Sequence, residues 1–135
     1  MNKIEWQPAY SVGVRELDAQ HQRIVELVNV LIDNPDVRVG SETVSTTLTQ
    51  LTEYASQHFE TEEGLLKEHG YPDVTAHMMD HRWYRAEIVA MCEAAMRYDA
   101  GLPTTLIAFL RNWWLNHIQH TDMAYKGFFA EKGVD

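Results

Sequence analysis

Between residues 58 and 81 the chain twice sets two metal-ligand side chains one helical turn apart: His58 with Glu62, and His77 with His81. On an α-helix a step of four residues advances about 400°, so each pair shares a face. Gly70-Tyr71-Pro72 between them is a helix stop, because Gly supplies a left-handed C-terminal residue and Pro cannot continue the helix. Two helices joined by so tight a return run antiparallel and turn four ligand-type groups toward each other. Imidazole and carboxylate suit first-row transition metals, and pairs at one-turn spacing on facing helices are how bundle cores hold two ions. A lone histidine on an apolar face is ordinarily satisfied by a hydrogen bond. Burying three imidazoles and a carboxylate without a partner would cost several kcal/mol, and a metal satisfies them all.

The rest of the chain supplies matching helices. From Asp18, read as an N-cap, His21, Ile24, Val25, Val28, Leu31 and Ile32 form one stripe, predicting a helix over about 18–34 with His21 on its buried face. Ser41 can cap a second helix over about 41–69, where Val44, Leu48, Leu51, Ala55, His58, Glu62 and Leu65 recur at steps of three and four. Asp73 can cap a third over about 73–99, carrying His77, His81, Tyr84, Ile88, Met91 and Ala95 up to the break at Gly101 and Pro103. A fourth, over about 104–121, has Leu106, Leu110, Trp113 and His117 in phase, with Phe109 and Trp114 flanking. Asp122 lies five residues past His117, about 140° round an ideal helix, so both reach one centre only if the helix breaks or widens near Thr121. Residues 1 to about 17 read as an arm broken by Pro8 and Gly13, and Tyr125, Phe128 and Phe129 predict a short terminal helix. The fold class is therefore all-α: an up-down-up-down antiparallel four-helix bundle with an N-terminal arm and a short C-terminal helix, one domain over residues 1–135.

Composition narrows the partners. A formal net charge of −9 argues against nucleic acid and anionic membrane surfaces, both of which need a basic face. No segment approaches the ~20 apolar residues of a membrane span, and the first residues hold no apolar run of signal-peptide type. Lone Cys92 excludes an internal disulfide and, eleven residues past His81, lies too far along its helix to share an ion, so it reads as an inert core thiol. The expectation is a soluble, cytoplasmic protein with a small ligand.

His21, His58-x3-Glu62, His77-x3-His81 and His117-x4-Asp122 together resemble the ligand pattern of the hemerythrins, specifically the bacterial ones. The surroundings agree: the Trp6 arm, Gly13, Asp18-x2-His21, Phe59 after His58, Tyr71-Pro72, Trp113 before Asn116-His117-Ile118, and Tyr125 after Asp122. The resemblance implies a cofactor of two iron ions with an oxo or hydroxo bridge, one iron held by His77, His81 and His117, the other by His21 and His58. Glu62 and Asp122 would bridge them. It further implies reversible binding of dioxygen. Coordination arithmetic agrees, since five histidines, two bridging carboxylates and one bridging hydroxide leave one of twelve octahedral positions open, on the two-histidine iron.

Other residues are less determined. Trp114, Trp113 and Tyr125 are expected to border the oxygen pocket; Trp114 departs from the family's usual aliphatic residue, and Leu66 stands where many bacterial members have Met. The Trp114 N–H needs a partner, expected to be a carboxylate ligand or a trapped water. Tyr125 either packs in the core or donates to a bridging carboxylate. His69 reads as structural, near a helix C-terminus, and His120 as a competitor to Asp122 that lacks a bridging carboxylate. Asp18 and Asp80 lie one turn from His21 and His77 and could orient the imidazoles, but capping and a solvated face are the expected roles. Three functions follow: a dioxygen carrier for transport, storage or delivery to an oxygen-consuming protein partner; an oxygen or redox sensor; or a diiron enzyme acting on peroxide or nitric oxide. The first is expected, and no enzyme, because no Glu-x-x-His of the ferritin-like oxidases occurs and five neutral imidazoles disfavour high-valent iron.

Overall fold

The computed structural model describes residues 1–34, 42–95 and 102–135. Four helices, α1 (Arg15–Asp33), α2 (Glu42–Glu68), α3 (Val74–Ala95) and α4 (Leu102–Asn116), make an antiparallel bundle in which α1 and α3 each pack against α2 and α4. A short α5 (Lys126–Glu131) follows. Ser41 and the break at Gly101 lie outside the described residues, as do positions 96–99 of the third expected helix and the side chains of Val44, Cys92 and Ala95. Among the described residues no helix is long and apolar enough to cross a membrane.

The α2–α3 return follows from its sequence. Gly70 takes φ +74°, Tyr71 N–H bonds to Leu66 O at 2.9 Å and Gly70 N–H to Lys67 O at 3.2 Å, the paired closure that a left-handed glycine permits at a helix end. Asp73 immediately precedes α3, and its carbonyl accepts His77 N–H at 3.1 Å. The first helix corrects one expectation. It begins at Arg15, three residues before Asp18, and Asp18 is no N-cap. Its carboxylate instead turns back on the arm, accepting Val12 N–H at 2.8 Å and the Ser11 hydroxyl at 2.5 Å. A carboxylate in the first turn is favoured by the helix dipole, and here it also satisfies a backbone donor. The arm is strapped further along by Asn29, which exchanges two 2.8 Å hydrogen bonds with the Ile4 backbone, and by Arg111, whose Nε donates to Asn2 O at 2.6 Å.

Two apolar clusters fill the bundle. One holds Ile24, Leu31, Leu51, Phe59, Tyr84, Leu110, Trp114 and Ile118 among others; the other holds Val12, Val14, Leu17, Leu66, Tyr71, Tyr125 and Phe129. Leu66 is fully buried where Leu65 was expected to carry the stripe, and Leu65 is half-buried. On α4 the expected order of the tryptophans is reversed: Trp114 has no exposed surface and Trp113 is half-buried. Trp114 takes the bundle interior, with Trp113 packed against it at the seam. On α1 the ligand-type residue falls where one cluster gives way to the other, His21 lying between Leu17 and Ile24, and on α2 Glu62 lies between Phe59 and Leu66. A polar layer thus crosses an apolar core.

Candidate metal centre

The structure brings all seven ligand-type residues into that layer, none more than 3% exposed. α1 contributes His21, α2 His58 and Glu62, α3 His77 and His81. α4 runs into a π-helix over His117–Asp122. A π-turn places residue i+5 over residue i, so His117 and Asp122 share a face that an α-helix would deny them. This is the widening that the five-residue spacing requires.

The side chains form two groups whose ligand atoms lie within 4.8 Å of one another: Glu62, His77, His81, His117 and Asp122; and His21, His58, Glu62 and Asp122. Both carboxylates belong to both groups, and each divides its oxygens between them. Glu62 Oε1 faces His77 Nε2, in very close contact, and His81 Nε2 at 3.2 Å, while Oε2 faces His58 Nε2 at 3.2 Å and His21 Nε2 at 3.7 Å. Asp122 Oδ1 lies 3.0 Å from His117 Nε2 and 3.2 Å from His77 Nε2, and Oδ2 lies 2.9 Å from His21 Nε2. His69 and His120 stand apart from both groups; His69 rests edge-on to Phe129 and His120 is exposed.

Several of these short distances are not good hydrogen bonds. Both nitrogens of His21, His58 Nε2 and both oxygens of Asp122 are buried without an aligned partner. His81 Nε2 and His117 Nε2 approach to 3.2 Å. Their Nδ1 atoms donate elsewhere, to Glu63 Oε2 at 3.1 Å and Asp80 Oδ2 at 2.7 Å, so in the neutral rings two Nε2 lone pairs confront each other. Orphaned lone pairs converging at buried points fit cations rather than one another. In the metal-free chain protons serve that demand. Burial is the largest influence on His21, His77 and His117 and opposes their charging, yet Asp122 and Glu62 outweigh it and raise the three to about 9, about 10 and about 9. Burial wins at His58, whose pKa falls. Glu62 and Asp122 are held far below the usual carboxylate range by their imidazole neighbours, against burial.

Three supporting residues show a regular arrangement that the sequence reading missed or misjudged. Gln20 Oε1 accepts from His58 Nδ1 at 2.7 Å, Glu63 takes His81, and Asp80, expected on a solvated face, takes His117. Each is the chain neighbour of a residue in the layer and serves a histidine on another helix, because one residue's step of about 100° turns it from the interior to the helix seam. That adjacency is a signal a sequence could offer. Tyr125 does both things expected of it: it has no exposed surface, and its hydroxyl donates to Glu62 Oε2 at 2.9 Å. Trp114 corrects another expectation, since its Nε1 donates to the Tyr84 hydroxyl at 3.0 Å rather than to a carboxylate ligand. Its ring lies 6.1 Å from that of His58, and Trp113 stacks on His117 at 4.3 Å.

The model of the hemerythrin HHE cation binding domain matches residues 12–129. The bacteriohemerythrin of Stenotrophomonas maltophilia (strain R551-3) is 32% identical over 127 residues, covering 93% of this chain and 80% of that protein. That of Methylococcus capsulatus is 30% identical over 130 residues, covering 93% and 95%. A hemerythrin-like protein of Naegleria gruberi is 29% identical over 124 residues, 92% of each. Among solved structures, a hemerythrin with a leucine-to-tyrosine substitution superposes with a TM-score of 0.81 at 26% identity, covering 94% of this chain and 97% of that one. The shared layer of histidines and carboxylates on a four-helix bundle thus has its counterpart in sequence, and the chain belongs to the hemerythrin family, whose domain binds a diiron centre.

Proposed function

We propose that residues 1–135 act as one domain that binds dioxygen reversibly, for transport, storage or delivery, and not as an enzyme. The observation that carries the reading is the division of oxygens: Glu62 and Asp122 each offer one oxygen to the three-histidine group and the other to the two-histidine group. Such a pair of carboxylates can hold two ions at once, His77, His81 and His117 completing one site and His21 and His58 the other. Two ferrous ions bound there would supply two electrons and an open coordination position for dioxygen.

The chain's own residues do the rest. Five neutral imidazoles would hold the ions without adding charge, leaving the two carboxylates as the anionic ligands from the protein. Tyr125 fixes Glu62 Oε2 and frees the other oxygen for the three-histidine side. Trp114, fully buried beside His58, keeps water from the two-histidine side, where an exposed site would let protons reach the ligand. Trp113 and Tyr125 wall the other side, against His117 and His77. Lone Cys92 suits a cytoplasmic, reducing setting.

Anaerobic reduction, exposure to oxygen and then an argon purge tests this. The expected result is an absorption band that rises with oxygen and disappears with argon over repeated cycles. Steady consumption of oxygen, peroxide or nitric oxide in the presence of a reductant would replace the carrier reading with catalysis.

A further inference from the structure

The polar layer is symmetric in its carboxylates and asymmetric in what stands behind its histidines. His81 and His117 each donate Nδ1–H to a carboxylate, Glu63 at 3.1 Å and Asp80 at 2.7 Å. Each also lies flat on an aromatic ring: His81 on Phe59 with centroids 3.9 Å apart and planes 17° apart, His117 on Trp113 at 4.3 Å and 13°. Neither imidazole can swing out of its plane without losing both supports, and a change of tautomer would break its bond to the carboxylate. The supporting carboxylates keep partial access to water, with 18% of the Glu63 side chain and 37% of the Asp80 side chain exposed.

The two-histidine half is built differently. His58 donates to Gln20 Oε1, a neutral amide, whose own Nε2 is turned toward Thr61 Oγ1 at 3.4 Å. His21 Nδ1 has no partner among the described residues, and Trp114 meets His58 tilted by 57° rather than stacked. A carboxylate behind an imidazole draws its proton, builds negative charge on the ring and strengthens the opposite nitrogen as a metal ligand; an amide does so weakly. Glu62 and Asp122 serve both halves and cancel in the comparison. What remains is three histidines with two charged supports against two histidines with none.

We propose that Asp80 and Glu63 are positioning residues that make the three-histidine half take a metal ion first and release it last, with neutral Gln20 leaving the two-histidine half the weaker. The inference rests on the two-ion reading given under Proposed function. Co(II) is the probe, titrated into the metal-free full chain with calorimetry for the affinity of each step and NMR for location. The parent should bind two ions in resolved steps. At one equivalent its hyperfine-shifted exchangeable ring protons should be those of the three-histidine half, His81 and His117 among them. Asp80→Asn and Glu63→Gln should each weaken the first step by roughly 10–100-fold, the usual loss when a supporting carboxylate is removed. Gln20→Glu should strengthen the two-histidine step and bring its signals up at one equivalent, a gain that loss of structure cannot produce. Should Asp80→Asn fail to fold, judged by circular dichroism of the metal-free chain, the other two variants decide the matter. Signals spread evenly over both halves in the parent, or equal weakening of both steps in the variants, overturns the ordering while leaving two ions bound. A parent that binds fewer than two ions overturns the diiron reading itself and the ordering with it.

Discussion

Truncating Trp114 separates packing from protection of the site. The indole has no exposed surface, stacks on Phe59 at 5.5 Å and 15°, meets Tyr84 and Trp113 edge-on and donates its N–H to the Tyr84 hydroxyl. Removing a core aromatic of this kind costs about 3–5 kcal/mol, so Trp114→Ala should lower the melting temperature by roughly 10–20 °C in a chain of this size. It should still bind two irons, since none of the seven ligand-type side chains is removed. The space it opens lies beside His58 and admits water to the two-histidine side, and the diferrous protein should therefore oxidise irreversibly faster in air. Trp114→Phe is the control: it keeps a ring in place and loses the N–H, at about 1 kcal/mol for the hydrogen bond plus the lost ring area, and should oxidise at a rate between the two. Stopped-flow absorption and thermal unfolding on the same preparations give both quantities. A large loss of stability with an unchanged oxidation rate would refute the protective role and leave Trp114 a packing residue.

Glu62→Ala should lose iron or retain a single ion, because one carboxylate faces both histidine groups; metal analysis that still finds two irons per chain would count against the bridging assignment. Tyr125→Phe removes a buried hydrogen bond to an ionised acceptor and should cost about 1.5–3 kcal/mol in denaturant unfolding, and a change well under 1 kcal/mol would mean that the hydroxyl does not hold Glu62. In the metal-free protein His21, His77 and His117 are raised to about 9, about 10 and about 9. A raised folded-state pKa gives stability that is complete below the ordinary value of 6.5 and lost as pH climbs through 9 to 10, so melting temperature should fall across that interval, and a rising curve there would contradict the pairing. The same three sites should release protons when metal is added at neutral pH, seen as acidification of a weakly buffered solution.

How far the sequence could be read depends on whether a residue's role is set by its own helix or by another. His21, His58, His77 and His81 continue the apolar stripes of their helices, so periodicity alone places them inward. The stop at Gly70 and the need for a widened turn before Asp122 also follow from local rules. Asp80 and Gln20 do not. Each sits off the stripe, where a polar residue ordinarily meets solvent, and its use appears only when the neighbouring helix brings a histidine to within 2.7 Å. Asp18 was misjudged for a related reason: the competing helix start at Arg15 depends on the arm that Asp18 then holds down. The order of Trp113 and Trp114 was out of reach as well, since both lie within a helical step of the interior and the bundle's packing decides between them.

The π-turn serves the chemistry of the layer rather than the packing of the core. Along α4 and into the turn the inward positions run through Leu106, Leu110, Trp114 and Ile118, all members of the cluster on one side of the polar layer. From Asp122, the last residue of the turn, the inward positions continue through Tyr125 and Phe129, which belong to the cluster on the other side. Continuing the first series at α-helical steps of three and four gives Thr121 or Asp122, then Tyr125, so a regular helix could bury either cluster's residues well. It could not also set His117 and Asp122 on one face, since they would stand about 140° apart. The extra residue in the turn absorbs that difference in the one place where both series and both ligand-type groups meet. Regularising the backbone would therefore cost the layer a shared carboxylate rather than the core a side chain, which ties the persistence of a locally poorer hydrogen-bond geometry to the demand for cations in the middle of the bundle.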